Sequence, residues 1–292
     1  MNDLRLGILD LGQLTIGDTV EIAARADELG FARYWVAEHA FENSLLATSI
    51  LAGATSRIRV GPAGVLVRYY SAAAVARDGL YLERAFGRID LGLASGVVPG
   101  FLEAAFSDGR RDTLAPQRFD AQSEAVARWL ALGAVASLRP ELWLLGSSDN
   151  AARARSAARL DAHFCLSLAH HPTPPSPLPI RAYRDAHGEH DPGVAAICLP
   201  LSCLESPSER AGYRSPHPGM HGPTFADTAP LCRERIEELC REYDVNEVSI
   251  LESSPDCDRR LASLELLAAE LGSLAGPPSK GRVVRDVPPL PH

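Results

Sequence analysis

Short β-type runs alternate with amphipathic helical segments along almost the whole chain of 292 residues. Eight strand-then-helix units follow one another, from Leu4–Leu9 to a last helix at 258–271, and no linker-like stretch divides them into halves. Eight consecutive units are typical of a (β/α)₈ barrel, and barrels of about 250 residues fold as one unit. We therefore predict an α/β fold, with a single TIM barrel over residues 1–275 and a flexible Pro/Gly-rich tail over 276–292.

The main competing architecture is a doubly wound parallel sheet, which places a glycine-rich phosphate loop after its first strand. Residues 9–13 read Leu-Asp-Leu-Gly-Gln and do not form such a loop. The single lysine, Lys280, lies in the predicted tail. Schiff-base aldolases, pyridoxal-phosphate enzymes and P-loop NTPases each need a lysine in a folded site, so the sequence disfavours all three.

Charge and hydropathy indicate a soluble protein that does not bind nucleic acid. The chain carries 29 Lys and Arg against 37 Asp and Glu, which gives a net charge of −8. This acidic excess disfavours polyanionic partners. Since no apolar run approaches the ~18 residues of a membrane span, and no export signal is evident, we expect a cytoplasmic protein without membrane contact.

Cysteine and histidine spacing gives no metal site. The six cysteines contain no C-x-x-C pair, so we interpret them as small core residues. Two close histidine pairs, His187/His190 and His217/His221, lie among Pro and Gly in predicted solvated loops. We therefore predict no bound metal.

Several element boundaries can also be predicted. Asp18 is a suitable N-cap for the first helix, with Glu21 three positions on, and Gly30 is a suitable stop. The seventh strand is predicted at Val194–Leu199, and residues 205–226 are predicted as a loop without a strand. Residues 99–117 form a polar excursion after the fourth strand.

Active sites of such barrels lie at the carboxyl ends of the strands. The polar or small residues that follow predicted strands are therefore the site candidates: Asp10, Glu38, His39, 61–64, 94–96 (which includes Ser95), 146–148, Ser167, His170, His171 and 252–254.

Gly146-Ser147-Ser148 joins the fifth strand to a helix that begins near Asn150. Backbone N–H groups, serine hydroxyls and the positive end of the helix could bind an anion there. The same residues would also suit an ordinary βα turn with serine caps.

Two further strand ends carry open alternatives. The small residues 61–64 would let a planar ligand approach the backbone, or would form a bulge at a barrel bend. His39, next to Glu38, could transfer protons near neutral pH, or could simply hydrogen-bond to backbone.

Four motifs together resemble the bacterial luciferase-like flavin monooxygenases. They are Tyr-Trp-Val-Ala-Glu-His at 34–39, Ala-Thr-Ser-Arg-Ile-Arg-Val-Gly-Pro-Ala-Gly-Val at 54–65, Gly-Arg-Ile-Asp-Leu-Gly-Leu at 87–93 and Leu-Trp-Leu-Leu-Gly-Ser-Ser at 142–148. The resemblance covers roughly residues 4–170 and returns at 245–248 and 260–268, in order throughout.

The resemblance implies a (β/α)₈ barrel that is usually dimeric and uses reduced FMN, or alternatively the deazaflavin F420. It implies a non-proline cis peptide at Ala63-Gly64. It assigns catalytic roles to His39 and Glu38, and flavin contacts to Gly61, Ala63, Gly64, Ser95, Gly146, Ser147 and Ser148. Two departures stand out: Ala40 replaces a second histidine, and residues 94–96 lack the arginine that commonly helps to hold the flavin phosphate.

Three functional hypotheses follow from this resemblance. The first is a monooxygenase that receives reduced FMN from a separate flavin reductase and oxygenates a small organic substrate. The second is an F420-dependent hydride-transfer oxidoreductase. The third is a degenerate, non-catalytic luciferase-like partner subunit. The apolar helices at 44–55 and 71–84 predict a homodimer.

Overall fold

The computed structural model describes residues 4–39, 42–96, 116–134, 138–187, 193–212, 224–252, 254 and 256–272. Parallel strands alternate with helices around a nearly closed barrel, which confirms the predicted fold. The strands are β1 (Arg5–Asp10), β2 (Arg33–Val36), β3 (Arg59–Pro62), β4 (Val65–Leu66), β5 (Asp90–Ala94), β6 (Glu141–Gly146), β7 (His163–Ser167), β8 (Ala195–Leu204), β9 (Phe225–Thr228) and β10 (Glu247–Leu251). The helices are α1 (Ile16–Leu29), α2 (Ser44–Ala54), α3 (Ala72–Phe86), α4 (Pro116–Gly133), α5 (Ala152–Arg159), α6 (Leu178–His187), α7 (Ala229–Tyr243) and α8 (Cys257–Leu271).

The third strand of the barrel is divided into two short pieces. The sheet order is β3-β2-β1-β10-β8-β7-β6-β5-β4, so β3 pairs with β2 while β4 pairs with β5. The peptide bond Ala63-Gly64 between the two pieces is cis, as the family resemblance implies. A bridge from Val60 to Ile89 brings β3 beside β5 and closes the ring.

Two glycines allow this closure. A Cβ atom on Gly61 would overlap the carbonyl oxygen of Asp90, and one on Gly92 would overlap that of Pro62. Because the strand backbones cross at these points, only a residue without a side chain fits. The glycine at 61 therefore has a structural role in the barrel itself.

The structure corrects two predicted boundaries. Helix α1 begins one turn earlier than expected, because Thr15 is the N-cap and Asp18 completes a capping box with it. Strand β8 extends to Leu204, five residues beyond the predicted end, and β9 begins at Phe225 in the last two residues of the predicted loop and continues to Thr228. The extension of β8 and the presence of β9 have one cause, since β9 pairs in parallel with Leu201–Leu204.

A layer of buried charges fills the amino-terminal end of the barrel. Arg33 donates to Asp90, and through Nε to Glu247 at 2.5 Å, and Arg59 Nε donates to Asp90 at 2.9 Å. Both arginines also pair with Glu141. Burial opposes the charge on Arg33, but the Asp90 and Glu247 carboxylates outweigh it and raise the pKa of this guanidinium. This end of the barrel is therefore packed, and an open cavity is left at the opposite end.

The hydrophobic core lies mostly between the strands and the surrounding helices, with a smaller cluster inside the barrel around Trp35 and Trp143. Across the described ranges, no helix combines the length and apolar character needed to cross a membrane. Most of the predicted polar excursion at 99–117 and all of the tail at 276–292 lie outside the described residues, as do His190, His217 and His221.

Candidate active site

A cavity of about 230 Å³ opens at the carboxyl ends of the strands, and all eight positions of the barrel contribute to it. Its walls are mainly apolar or small, and its polar side chains include four serines, His170, two cysteines and the indole of Trp143. A concave, largely apolar chamber with few polar groups at this end of a barrel is the usual form of a small-molecule site.

Two tryptophans form the deep part of this cavity. Trp35 on β2 and Trp143 on β6 make an edge contact, with ring centroids 5.3 Å apart. The Arg33 guanidinium of the charged layer lies 4.6 Å below the Trp143 ring centroid. Trp143 is only 1% exposed, and its indole N–H has no hydrogen-bond acceptor. A buried donor without a partner costs stability, so a ligand acceptor at this position would be favourable.

Four of the predicted flavin contacts line the cavity: Ala63, Ser95, Gly146 and Ser147. Gly61, Gly64 and Ser148 are not among the lining residues, and neither are Glu38 and His39. The functional roles given to all nine residues stay predictions.

Glu38 links three elements beside the cavity. Its carboxylate accepts hydrogen bonds from Ser44 Oγ at 3.0 Å, from the Leu66 N–H at 3.2 Å and from the Tyr70 hydroxyl. Burial raises the pKa of Glu38, although these three donors partly offset it. This arrangement fixes the start of α2 against the end of β4.

His39 lies at the exposed end of β2. Its Nε2 is 2.5 Å from the carbonyl oxygen of Leu11, and since a carbonyl only accepts, Nε2 carries the proton. Of the two alternatives that the sequence allows for His39, the structure shows the hydrogen bond to backbone.

The two serines after β6 differ in their surroundings. Ser148 Oγ accepts the Asn150 N–H at 3.4 Å, and Asn150 Oδ1 caps Ala152 at 2.9 Å, so this part is a capped βα turn. Ser147 faces the cavity, and its hydroxyl makes no hydrogen bond to another described residue. Only the first of the two serines is therefore placed to contact a ligand in the cavity.

Ser167 and His170, at and just after the end of β7, form a pair that the sequence does not identify as catalytic. Both line the cavity, and His170 Nδ1 lies 2.7 Å from Ser167 Oγ. The sequence indicates both residues only by their position after a strand. The inward direction of the two tryptophans depends on the stagger of the strands around the barrel.

The acidic residues after β1 and β10 have structural partners instead. Asp10 accepts from Gly12, Thr19, Tyr34 and Arg260. Glu252 accepts from Ser202 and from the backbone and hydroxyl of Ser254. Burial raises the pKa of Glu252. These networks join β1 and β10 to the neighbouring helices, and neither carboxylate lines the cavity.

Comparison with known sequences finds relatives of one family. Residues 5–115 match the model of the luciferase-like monooxygenase family, which confirms the resemblance of the motifs. Two relatives come from Bacillus subtilis (strain 168): the uncharacterized protein YwcH, 33% identical over 192 residues, and an N-acetyl-S-alkylcysteine monooxygenase, 31% identical over 193 residues. These matches cover 54% and 56% of this chain, and the chain spans a little over half of each relative, 57% in both cases.

Solved structures share the fold over nearly the whole chain. Apo-MsnO8 has a TM-score of 0.77 at 23% identity, covering 92% of this chain and 98% of its own. The FMN complex of the oxygenating constituent of 3,6-diketocamphane monooxygenase, from Pseudomonas putida, has a TM-score of 0.68 at 14% identity, with 94% and 99% covered. An F420-dependent secondary alcohol dehydrogenase has a TM-score of 0.68 at 15% identity, with 92% and 99% covered.

Proposed function

We propose that the protein is a flavin-dependent monooxygenase that receives reduced FMN from a separate reductase and oxygenates a small organic substrate. The observation that carries this proposal is the unpartnered indole N–H of Trp143 in an apolar chamber at the strand ends. The family match and the FMN-bound neighbour of the same fold support it.

The residues of the cavity suit a flavin. Ala63, Ala94 and Gly146 are small, so they leave room for a flat ring system beside the two tryptophans. The Trp143 N–H would donate to a carbonyl oxygen or ring nitrogen of this ring. Ser95 and Ser147 would contact its polar side chain. When bound, reduced FMN supplies the electrons that activate molecular oxygen.

The protein's own contribution is to exclude water and to position the reactants. Leu9, Trp35 and Leu145 form an apolar wall that lowers the water content around the ring. His170, oriented by Ser167, would hold or move a proton at the rim of the cavity, where an organic substrate enters. The catalytic roles predicted for His39 and Glu38 remain part of this proposal, but His170 is better placed to contact a substrate.

Isotope labelling tests the activity. The protein is mixed with FMN, NADH, a flavin reductase and ¹⁸O₂, and offered S-alkylcysteine derivatives, the class named for one relative, together with small ketones. We expect labelled oxygen in a product only when the protein and the reductase are both present. If reduced F420 instead supports the reduction of a ketone and no label enters any product, the hydride-transfer hypothesis replaces this one.

The homodimer is also a proposal. Leu46 and Ile50 on α2 are 64% and 49% exposed, and Tyr81 on α3 is 67% exposed. A second copy of the chain would cover these apolar groups on the helices that the sequence assigns to the interface.

A further inference from the structure

Arg68 is a buried cation that forms no ion pair within the part of the chain that the structure describes. It lies in the short 3₁₀ turn Val67–Tyr69 after β4, and only 7% of its surface is exposed. Its Nε has no hydrogen-bond acceptor, and no described residue forms an ion pair with its guanidinium. Burial of an unpaired charge is costly, so a group that is kept in this state points to a ligand of opposite charge.

Arg153, in the first turn of α5, is a second cation on the same side of the barrel. Its guanidinium carbon lies 3.4 Å from the centroid of the Phe119 ring. Its Nη1 is buried and makes no hydrogen bond, although the Asp120 carboxylate lies 3.5 Å away without hydrogen-bond geometry. Burial lowers the pKa of Arg153, and the nearby charge of Arg68 lowers it further against the opposing effect of Asp120.

Neither arginine is among the residues that line the cavity, but both are close in the chain or in space to residues that do. Leu66, two residues before Arg68, packs against Gly96. Its Cδ2 lies 2.9 Å from the position that a Cβ atom on Gly96 would occupy. The Cγ of Arg153 lies 3.8 Å from the corresponding position on Gly146. Gly96 and Gly146 both line the cavity. Two carboxylates also lie in this region, that of Asp120 near Arg153 and that of Glu38, which accepts the Leu66 N–H, and neither forms an ion pair with Arg68.

We propose that Arg68 and Arg153 form the anion-binding end of the cavity and bind the terminal phosphate of the flavin nucleotide. This inference rests on the proposed function and identifies the residues that replace the arginine missing from 94–96. A guanidinium can donate two parallel hydrogen bonds to a phosphate, and such charge-assisted bonds are strong. The Ser147 hydroxyl would be a further hydrogen-bond donor to the phosphate, from the end of β6.

Thermal unfolding first separates this role from a structural one. Arg68→Met keeps an unbranched side chain that can replace the aliphatic part of arginine, and it removes the charge. In phosphate-free buffer, the proposal predicts a Tm equal to or above that of the parent protein, because an unpaired buried charge is removed. A clear fall in Tm would show that Arg68 stabilises the fold and would overturn the proposal.

Flavin titration then tests the ligand. At constant ionic strength, quenching of flavin fluorescence should show that the parent protein binds FMN at least about tenfold more tightly than riboflavin, which lacks the phosphate. Arg68→Met and Arg153→Met should each weaken FMN binding and leave riboflavin unchanged. Arg155→Met, an exposed arginine two positions further along α5, is the matched control and should change neither.

The outcomes separate this inference from the proposed function. If the parent protein binds both flavins and the preference for FMN is absent or survives both substitutions, the two arginines do not bind the phosphate, while the proposed function stands. If neither flavin binds, the proposed function fails. In that case the Tm is measured in inorganic phosphate and in chloride at equal ionic strength. A higher Tm in phosphate that disappears in Arg68→Met supports the anion site. No increase in the Tm of the parent protein overturns it.

Discussion

Trp143 and Arg68 each keep a buried polar atom without a hydrogen-bond partner in the part of the chain that the structure describes. They share this property with other residues, among them Ser123 and Arg33, whose Nη2 makes no hydrogen bond. Trp143 and Arg68 are set apart by their position, because Trp143 lines the cavity and Arg68 follows β4, whose Leu66 lies against Gly96 on the cavity wall. The buried carboxylates of Asp10 and Glu252, in contrast, have several hydrogen-bond donors each.

Glu83 gives a prediction about pH at the residue scale. Its carboxylate is buried on α3 and accepts the Ile89 N–H at 2.8 Å, and burial raises its pKa to about 7. Because the unfolded chain loses this proton near the ordinary pKa of 4.5, the free energy of unfolding falls as pH rises between these two values. Glu83→Gln keeps the acceptor and removes the charge. It should therefore stabilise the protein by roughly 1–3 kcal/mol at pH 8 and have little effect at pH 4.

Urea unfolding of the parent and Glu83→Gln proteins at these two pH values measures the difference. Glu28→Gln, an exposed carboxylate on α1, is the control and should show little change at either pH. An equal effect of Glu83→Gln at both pH values would contradict the shifted pKa.

The sequence predicts most elements because their ends carry local signals. Gly30 and Gly87 end α1 and α3 in the left-handed conformation that glycine favours, and Thr228 is the N-cap residue of α7. By contrast, β9 is a four-residue strand whose only pairing is with β8, so its local sequence carries little signal. The predicted N-cap of α1 lies one turn too late, because Thr15 and Asp18 both have side chains that can cap a helix. In the structure Thr15 is the N-cap, and Asp18 completes the capping box from the third helical position.

The candidate site could be predicted only in part for a similar reason. The strand ends after β5 and β6 follow directly from the barrel topology, and Ser95, Gly146 and Ser147 line the cavity. Ser167 and His170 follow from it in the same way, whereas the two tryptophans line the cavity because of the barrel stagger, which no local pattern reveals. Arg68 was overlooked because its importance comes from burial without a partner, a property of the packed structure.

Paired glycine substitutions test the closure of the barrel at the scale of its elements. Gly61→Ala adds a Cβ against the Asp90 backbone, so we expect a loss of at least about 2 kcal/mol in the free energy of unfolding. Gly53→Ala, on the exposed face of α2, meets no atom within 4 Å and should stabilise the helix by about 0.5–1 kcal/mol. Denaturant midpoints of the two variants should move in opposite directions. If Gly61→Ala destabilises the protein no more than an ordinary surface substitution does, the close crossing of β3 and β5 is contradicted.

At the scale of the whole molecule, the two ends of the barrel have different tasks. The amino-terminal end is closed by paired charges around Arg33, which fix the strands relative to one another. The carboxyl end keeps its polar groups available in the cavity. The deep tryptophans separate these two layers, with Trp143 above Arg33. A binding chamber on a rigid base is the arrangement expected when a protein must hold a large ligand in one orientation.

Anaerobic calorimetric titration of reduced FMN tests the central claim most directly, because it measures binding at the cavity without requiring the right substrate. We expect one reduced FMN per chain, and we expect Trp143→Phe, which keeps an aromatic ring but removes the indole N–H, to weaken binding about five- to tenfold. Trp129→Phe, at a half-exposed tryptophan on α4, should leave binding unchanged. Absence of binding to the parent protein, or equal binding to the parent and Trp143→Phe proteins, would contradict the assignment of this cavity as the flavin site.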